Sequence, residues 1–220
     1  MKTSILLILL FLFVNCNQQK NQSVTEEDSA TKFEMHVPDN SIDNFTDYDL
    51  YNYTYKQKLT DLLSLNALEN GTDSFELRFW KAGSRIDPVI LYILKKSPDT
   101  NWSMLHYQLF RGGTGNSEKP EIDSLVVEKV WPRMVSWEKY ISSLKLDNLW
   151  TTPSQREVVD DFVVVGGYSY LIELATSKKY RFLSYYAPDV FQDVEPNHHR
   201  IIEFQKNLRE GIMYNGISNP

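Results

Sequence analysis

The chain has 220 residues, a net charge of −6, and 42% hydrophobic against 24% charged residues. Acids and bases are interspersed, with no continuous basic stripe of the kind a phosphate backbone requires, which excludes nucleic acid as a partner. The length is that of one domain with extensions, and a core of that size folds without disulfide or metal staples.

Met1-Lys2-Thr3-Ser4 carries one positive charge and precedes the apolar run Ile5 to Val14. Crossing a bilayer takes about 20 apolar residues, roughly twice what this run supplies. A charged start, a short apolar centre and the abruptly polar Asn15-Cys16-Asn17-Gln18-Gln19 have the anatomy of a secretory signal peptide. Cys16 is the sole cysteine, so no internal disulfide is available to it.

Phe13-Val14-Asn15-Cys16 resembles the lipobox of bacterial lipoproteins, with Asn15 where Gly, Ala or Ser is usual. The resemblance implies cleavage before Cys16, a diacylglyceryl group on its sulfur, and a further acyl chain on the new amino terminus. Each buried methylene contributes ~0.8 kcal/mol, and two or three chains anchor stably where one does not. Asn17, in place of the Asp that retains lipoproteins at the inner membrane, implies the outer membrane, facing the periplasm. Residues 1–15 are then a signal peptide that is removed. Residues 16–45 read as a lipidated cysteine and flexible tether, too polar to offset their own ordering entropy.

A globular body is expected over 46–213, with a tail at 214–220. Tyr48 to Asn66 reads as a helix, its stripe being Tyr51, Tyr55, Leu59, Leu62 and Leu63. Strands follow at Ser74 to Lys81, Pro88 to Lys96, Trp102 to Arg111 and Ile122 to Val130. Met134 to Leu149 reads as one helix. Three more strands are expected at Val159 to Val165, Tyr168 to Leu174 and Lys179 to Tyr186, then a helix from Asn197 to about Ile212. Short strands at close intervals imply hairpins. The expected fold is a single α+β domain, an antiparallel sheet of about seven strands with helices on one face.

In the Tyr168–Tyr186 hairpin, the alternation predicts a three-residue loop, Thr176-Ser177-Lys178. That register sets Glu173 opposite Arg181 as a structural ion pair.

Catalytic templates find little. The Gly112 to Asn116 loop lacks the Lys-Ser/Thr ending of a phosphate loop. His199 and Glu203 have helical metal-ligand spacing, but two ligands are not a site. No Gly-X-Ser-X-Gly elbow occurs. No catalytic residue, cofactor or metal is therefore assigned. Trp80 shares a strand face with Glu76 and Arg78, opposite Phe75, Leu77 and Phe79, so Arg78, Trp80 and Tyr185 are candidates for a partner-binding face.

Gly167-Tyr168-Ser169-Tyr170-Leu171-Ile172-Glu173, with Lys179-Tyr180-Arg181 and Tyr185-Tyr186-Ala187-Pro188, resembles bacterial envelope lipoproteins. The functional expectation is a lipid-anchored, non-catalytic envelope protein. It would meet the bilayer through acylated Cys16 and bind a protein or polymer partner through an exposed sheet face. The alternative is a periplasmic hydrolase or carbohydrate-active enzyme whose polar residues converge only in three dimensions.

Overall fold

Eight strands among the described residues make one sheet: β1 (Glu34–His36), β2 (Phe75–Ala82), β3 (Val89–Lys96), β4 (Trp102–Arg111), β5 (Ile122–Pro132), β6 (Ser169–Thr176), β7 (Lys179–Tyr186) and β8 (Ile212–Tyr214). The computed structural model describes residues 33–37, 47–83, 87–112, 120–133, 135–158, 166–193 and 195–214, all within a compact unit beginning at Phe33. The strand order is β1-β7-β6-β2-β3-β4-β5-β8. Every pairing is antiparallel except β1 with β7, which is parallel. The fold is α+β as expected, but the sheet is mixed and has eight strands.

Two of these strands are additions to the sequence reading. β1 lies inside the stretch read as tether, and β8 follows the last helix. Both are three residues long, too short to show a period of two. The expected strand Val159 to Val165 lies outside the described residues.

Helices cover both faces of the sheet, which corrects the expectation of one covered face. α1 (Asp47–Leu62) lays Tyr55 and Leu59 against Trp80, Leu91, Ile93, Leu171 and Phe182. The opposite face, with Leu77, Phe79, Leu94, Ile172 and Leu183, packs against α2 (Trp137–Leu144), α3 (Leu146–Leu149) and α5 (Pro196–Glu210). A short α4 (Pro188–Phe191) leads towards α5. Each fully buried Leu, Ile or Phe contributes ~1.5–3 kcal/mol, and the central strands supply such residues to both layers.

Two-sided burial also explains a shifted register. β6 and β7 pair Glu173 with Phe182 and Leu174 with Arg181, one residue away from the expected Glu173–Arg181 pairing. The loop between them is Ser177-Lys178, and Thr176 Oγ1 accepts from the amides of Lys178 and Lys179, each at 3.1 Å. With apolar residues on both faces, alternation cannot choose between neighbouring registers, and the turn decides.

The helix expected over Met134 to Leu149 is broken at Lys145, whose φ of 50° and ψ of 45° are left-handed. Ser136 caps the start of α2 by accepting from the Lys139 amide. The break ends α2 and turns α3 so that Leu144 and Leu149 are both buried.

Candidate functional site

Under α1 lies a closed polar network. Lys56 shares a helix face with Asn52 and Leu59, and its ammonium is 3.0 Å from Glu173 Oε1 and 2.8 Å from Glu69 Oε1. Glu173 is wholly buried and also accepts from Trp80 Nε1 at 3.0 Å and from the Tyr180 hydroxyl at 3.1 Å. Tyr53 donates to Glu69 at 2.8 Å. Burial pushes the Glu69 carboxyl up, but Lys56 and these hydrogen bonds outweigh it and hold it below its ordinary value. Burial, then the charge of Glu173, pushes the Tyr180 hydroxyl well up.

This network takes in Trp80, one of the three expected partner-binding residues. Trp80 and Arg78 are 0% and 1% exposed, on the face that α1 covers. Arg78 Nε donates to Glu76 Oε1 at 2.8 Å and Nη2 to the Asn66 carbonyl at 2.7 Å. Tyr185 is equally buried, on the opposite face, where its hydroxyl donates to the Pro153 carbonyl. The three do not form an exposed surface. The alternation that put Trp80 with Arg78 and Glu76 was right, but that face is roofed by a helix.

Of the expected ion pair, Glu173 serves Lys56 instead, and Arg181 Nη2 donates to the Thr152 carbonyl at 2.6 Å. Cys16 lies outside the described residues.

Two open grooves flank the α2–α3 break. One, of about 510 Å³, runs between that break and α5. His199 and Glu203 line it, with Asp193, Glu195, Lys145 and Arg200. Its charges are largely committed: Lys145 pairs with Glu203 at 3.3 Å, and Glu195 accepts from the Asn197 amide at 2.9 Å as the α5 cap. Among the described residues no group of three or more His, Cys, Asp or Glu is placed to hold a metal ion.

The second groove, of about 550 Å³, lies where the sheet ends beside α2 and α3. The register puts one lateral row of side chains along its floor. Thr176 pairs with Phe75, Phe75 with Lys96, and Lys96 with Trp102. Lys179 extends the row from β7 across the turn, and Ile141, Leu146 and Trp150 form the wall. Strands lie ~4.8 Å apart, so Lys179 and Lys96 are rooted ~14 Å from each other.

Each cation is held by a ring. Lys179 Nζ sits 4.1 Å from the centre of the Trp150 ring, and Lys96 Nζ 5.6 Å from that of Trp102. Phe75 meets Trp102 edge-on at 5.8 Å. With Lys145, whose ammonium is paired with Glu203 of the first groove, the lining has three lysines against one carboxylate, Asp147, in a chain whose net charge is −6. An apolar floor with a few fixed charges is the construction of a binding site. In this one the charge is predominantly positive.

Sequence reasoning missed this groove because its parts come from five strands and two helices. The signal available was Trp102 and Trp150 close to strand or helix ends, each with no lysine adjacent in sequence. No family model, curated protein or solved structure matches the chain.

Proposed function

We propose that this chain is a lipid-anchored binding protein of the bacterial envelope, held through acylated Cys16 at the outer membrane and facing the periplasm. Its ligand is an extended acidic polymer, a glycan bearing carboxylates or phosphates, seated in the groove floored by Phe75 and Trp102. The observation that carries this reading is the row Lys179–Thr176–Phe75–Lys96–Trp102, in which cations alternate with apolar surface along one line.

The chemistry follows from the spacing. Sugar rings present apolar C–H faces to Phe75 and Trp102, while acid groups two or three sugars apart meet Lys96 and Lys179. Charge-assisted hydrogen bonds to ammonium groups are about twice as strong as neutral ones. Because the lysines are already held over rings, little side-chain entropy is lost on binding. Glu195 and Glu203 in the neighbouring groove are engaged in structural contacts, and binding without catalysis is the better reading of both grooves.

The test has two arms. Full-length protein extracted from membranes should carry the mass of an acylated Cys16, and Cys16→Ser should move it to the aqueous fraction. The same protein should be retained on an immobilised acidic polysaccharide and not on a neutral one. Retention on neither matrix contradicts the ligand assignment, and an unmodified Cys16 contradicts the anchor.

A further inference from the structure

We propose that Lys145 is a latch of the groove floored by Phe75 and Trp102: on binding, its ammonium leaves Glu203 and turns to a third acid group of the ligand. This rests on the acidic-polymer reading of that groove and adds a residue that the ligand must win from an internal partner. Lys145 lines both grooves that flank the α2–α3 break. Its Nζ lies 3.3 Å from Glu203 Oε1 on the α5 side, and the two side chains are 60% and 45% exposed.

Lys145 stands at the left-handed end of α2. Glycine or asparagine is usual at such a cap, because a Cβ crowds the following carbonyl. A long cationic side chain kept at that backbone cost implies a use for the side chain. The backbone on either side is pinned. The Lys145 amide donates to the Ser142 carbonyl at 3.3 Å, and the Lys145 carbonyl accepts from the Asn148 amide at 3.0 Å. Motion falls to the flexible four-carbon stem, which swings the ammonium about a fixed Cα.

Lys96 and Lys179 are each held over an aromatic ring, which an incoming acid group need not displace. Lys145 is held by a carboxylate instead. An exposed ion pair of this kind contributes little, because water screens it and two long side chains must be fixed in one geometry. Once a ligand covers the groove, a contact between Lys145 and its acid group is screened less than the open pair with Glu203. Asp147 also lines that groove, so the ligand contends with two carboxylates for this cation.

The test titrates full-length protein with an acidic oligosaccharide while following tryptophan fluorescence. E203Q frees Lys145 and should tighten binding about threefold, the strength of an exposed pair. K145Q should weaken it about threefold, the gain from a lysine contact less what the pair with Glu203 costs. In the K145Q background E203Q should change nothing further. D193N removes a carboxylate from the same neighbouring groove but leaves the Lys145–Glu203 pair in place, and should alter affinity less than E203Q. A lysine present only to answer the dipole of α2 would lower the thermal midpoint in K145Q and leave affinity alone, which overturns the proposal. Tightening by E203Q that survives in K145Q, or that D193N matches, also overturns it and assigns the effect to net charge. If E203Q fails to tighten while Lys96→Gln and Lys179→Gln weaken binding, only the latch is lost. If no acidic oligosaccharide binds, the latch and the groove's ligand are lost together.

Discussion

Lys56 Nζ lies 3.0 Å from Glu173 Oε1, and both side chains are sealed between α1 and the sheet at 1% and 0% exposure. Removing one partner leaves a buried charge uncompensated, which costs ~3–5 kcal/mol, more than the pair contributes when intact. Lys56→Met and Glu173→Leu should each lower unfolding free energy by about that much, measured by urea denaturation. The double variant should lose clearly less than the sum. Additive losses would show that the two side chains do not act as a unit.

A second buried acid behaves differently. Asp49 is 1% exposed, and burial raises its carboxyl to about 6 against the lowering hydrogen bond from Ser184. Between pH 3.8 and about 6 the folded protein therefore holds a proton that the unfolded chain releases. Stability from this group is present at low pH and is lost as pH rises through that window, by up to about 3 kcal/mol. Asp49→Asn should remove this loss and be the more stable protein at neutral pH. An unchanged pH profile would contradict the raised value.

His198 has the opposite slope. It is fully buried, ringed by Tyr185 at 5.3 Å and Phe191 at 5.4 Å, and neither ring nitrogen has a hydrogen-bond partner among the described residues. Burial lowers its proton affinity despite the nearby Glu195. With the folded value below the ordinary 6.5, stability is full above pH 6.5 and falls as pH drops through it. His198→Leu should flatten thermal midpoints across pH 5 to 7, about the ordinary histidine range. An equal decline in the variant would place that pH dependence elsewhere.

Gly211 joins α5 to β8, and a Cβ there would lie 2.6 Å from Tyr140 Cε2. The Tyr140 hydroxyl donates to the Leu208 carbonyl at 2.9 Å, so the ring has little room to yield. Gly211→Ala should cost about 1–3 kcal/mol through overpacking, read from the thermal midpoint, and a neutral result would mean that β8 shifts freely.

Much of the sheet was legible in the sequence. Trp102–Arg111 and Lys179–Tyr186 have the bounds that their apolar runs and flanking turns predict. What failed was whatever depended on the layers. Trp80 and Arg78 looked like an outer face because alternation marks two faces without saying how many are covered. Lys56 within the stripe of α1 was the overlooked hint that this helix seals a polar core. The β6–β7 register slipped because both of those strands are apolar on each side. The lysine–aromatic groove left no more than the placing of Trp102 and Trp150 near element ends, since Phe75, Lys96, Trp102, Trp150 and Lys179 become neighbours only through the pairing of distant strands.

The groove assignment is tested most directly by titrating the full-length protein with an acidic oligosaccharide while following tryptophan fluorescence, since Trp102 and Trp150 stand in the floor and wall. A saturable change that weakens with salt is expected. Lys96→Gln and Lys179→Gln should each weaken it about tenfold, ~1.4 kcal/mol, with no change in the thermal midpoint. A response that a neutral oligosaccharide reproduces, or that both substitutions leave intact, would contradict it.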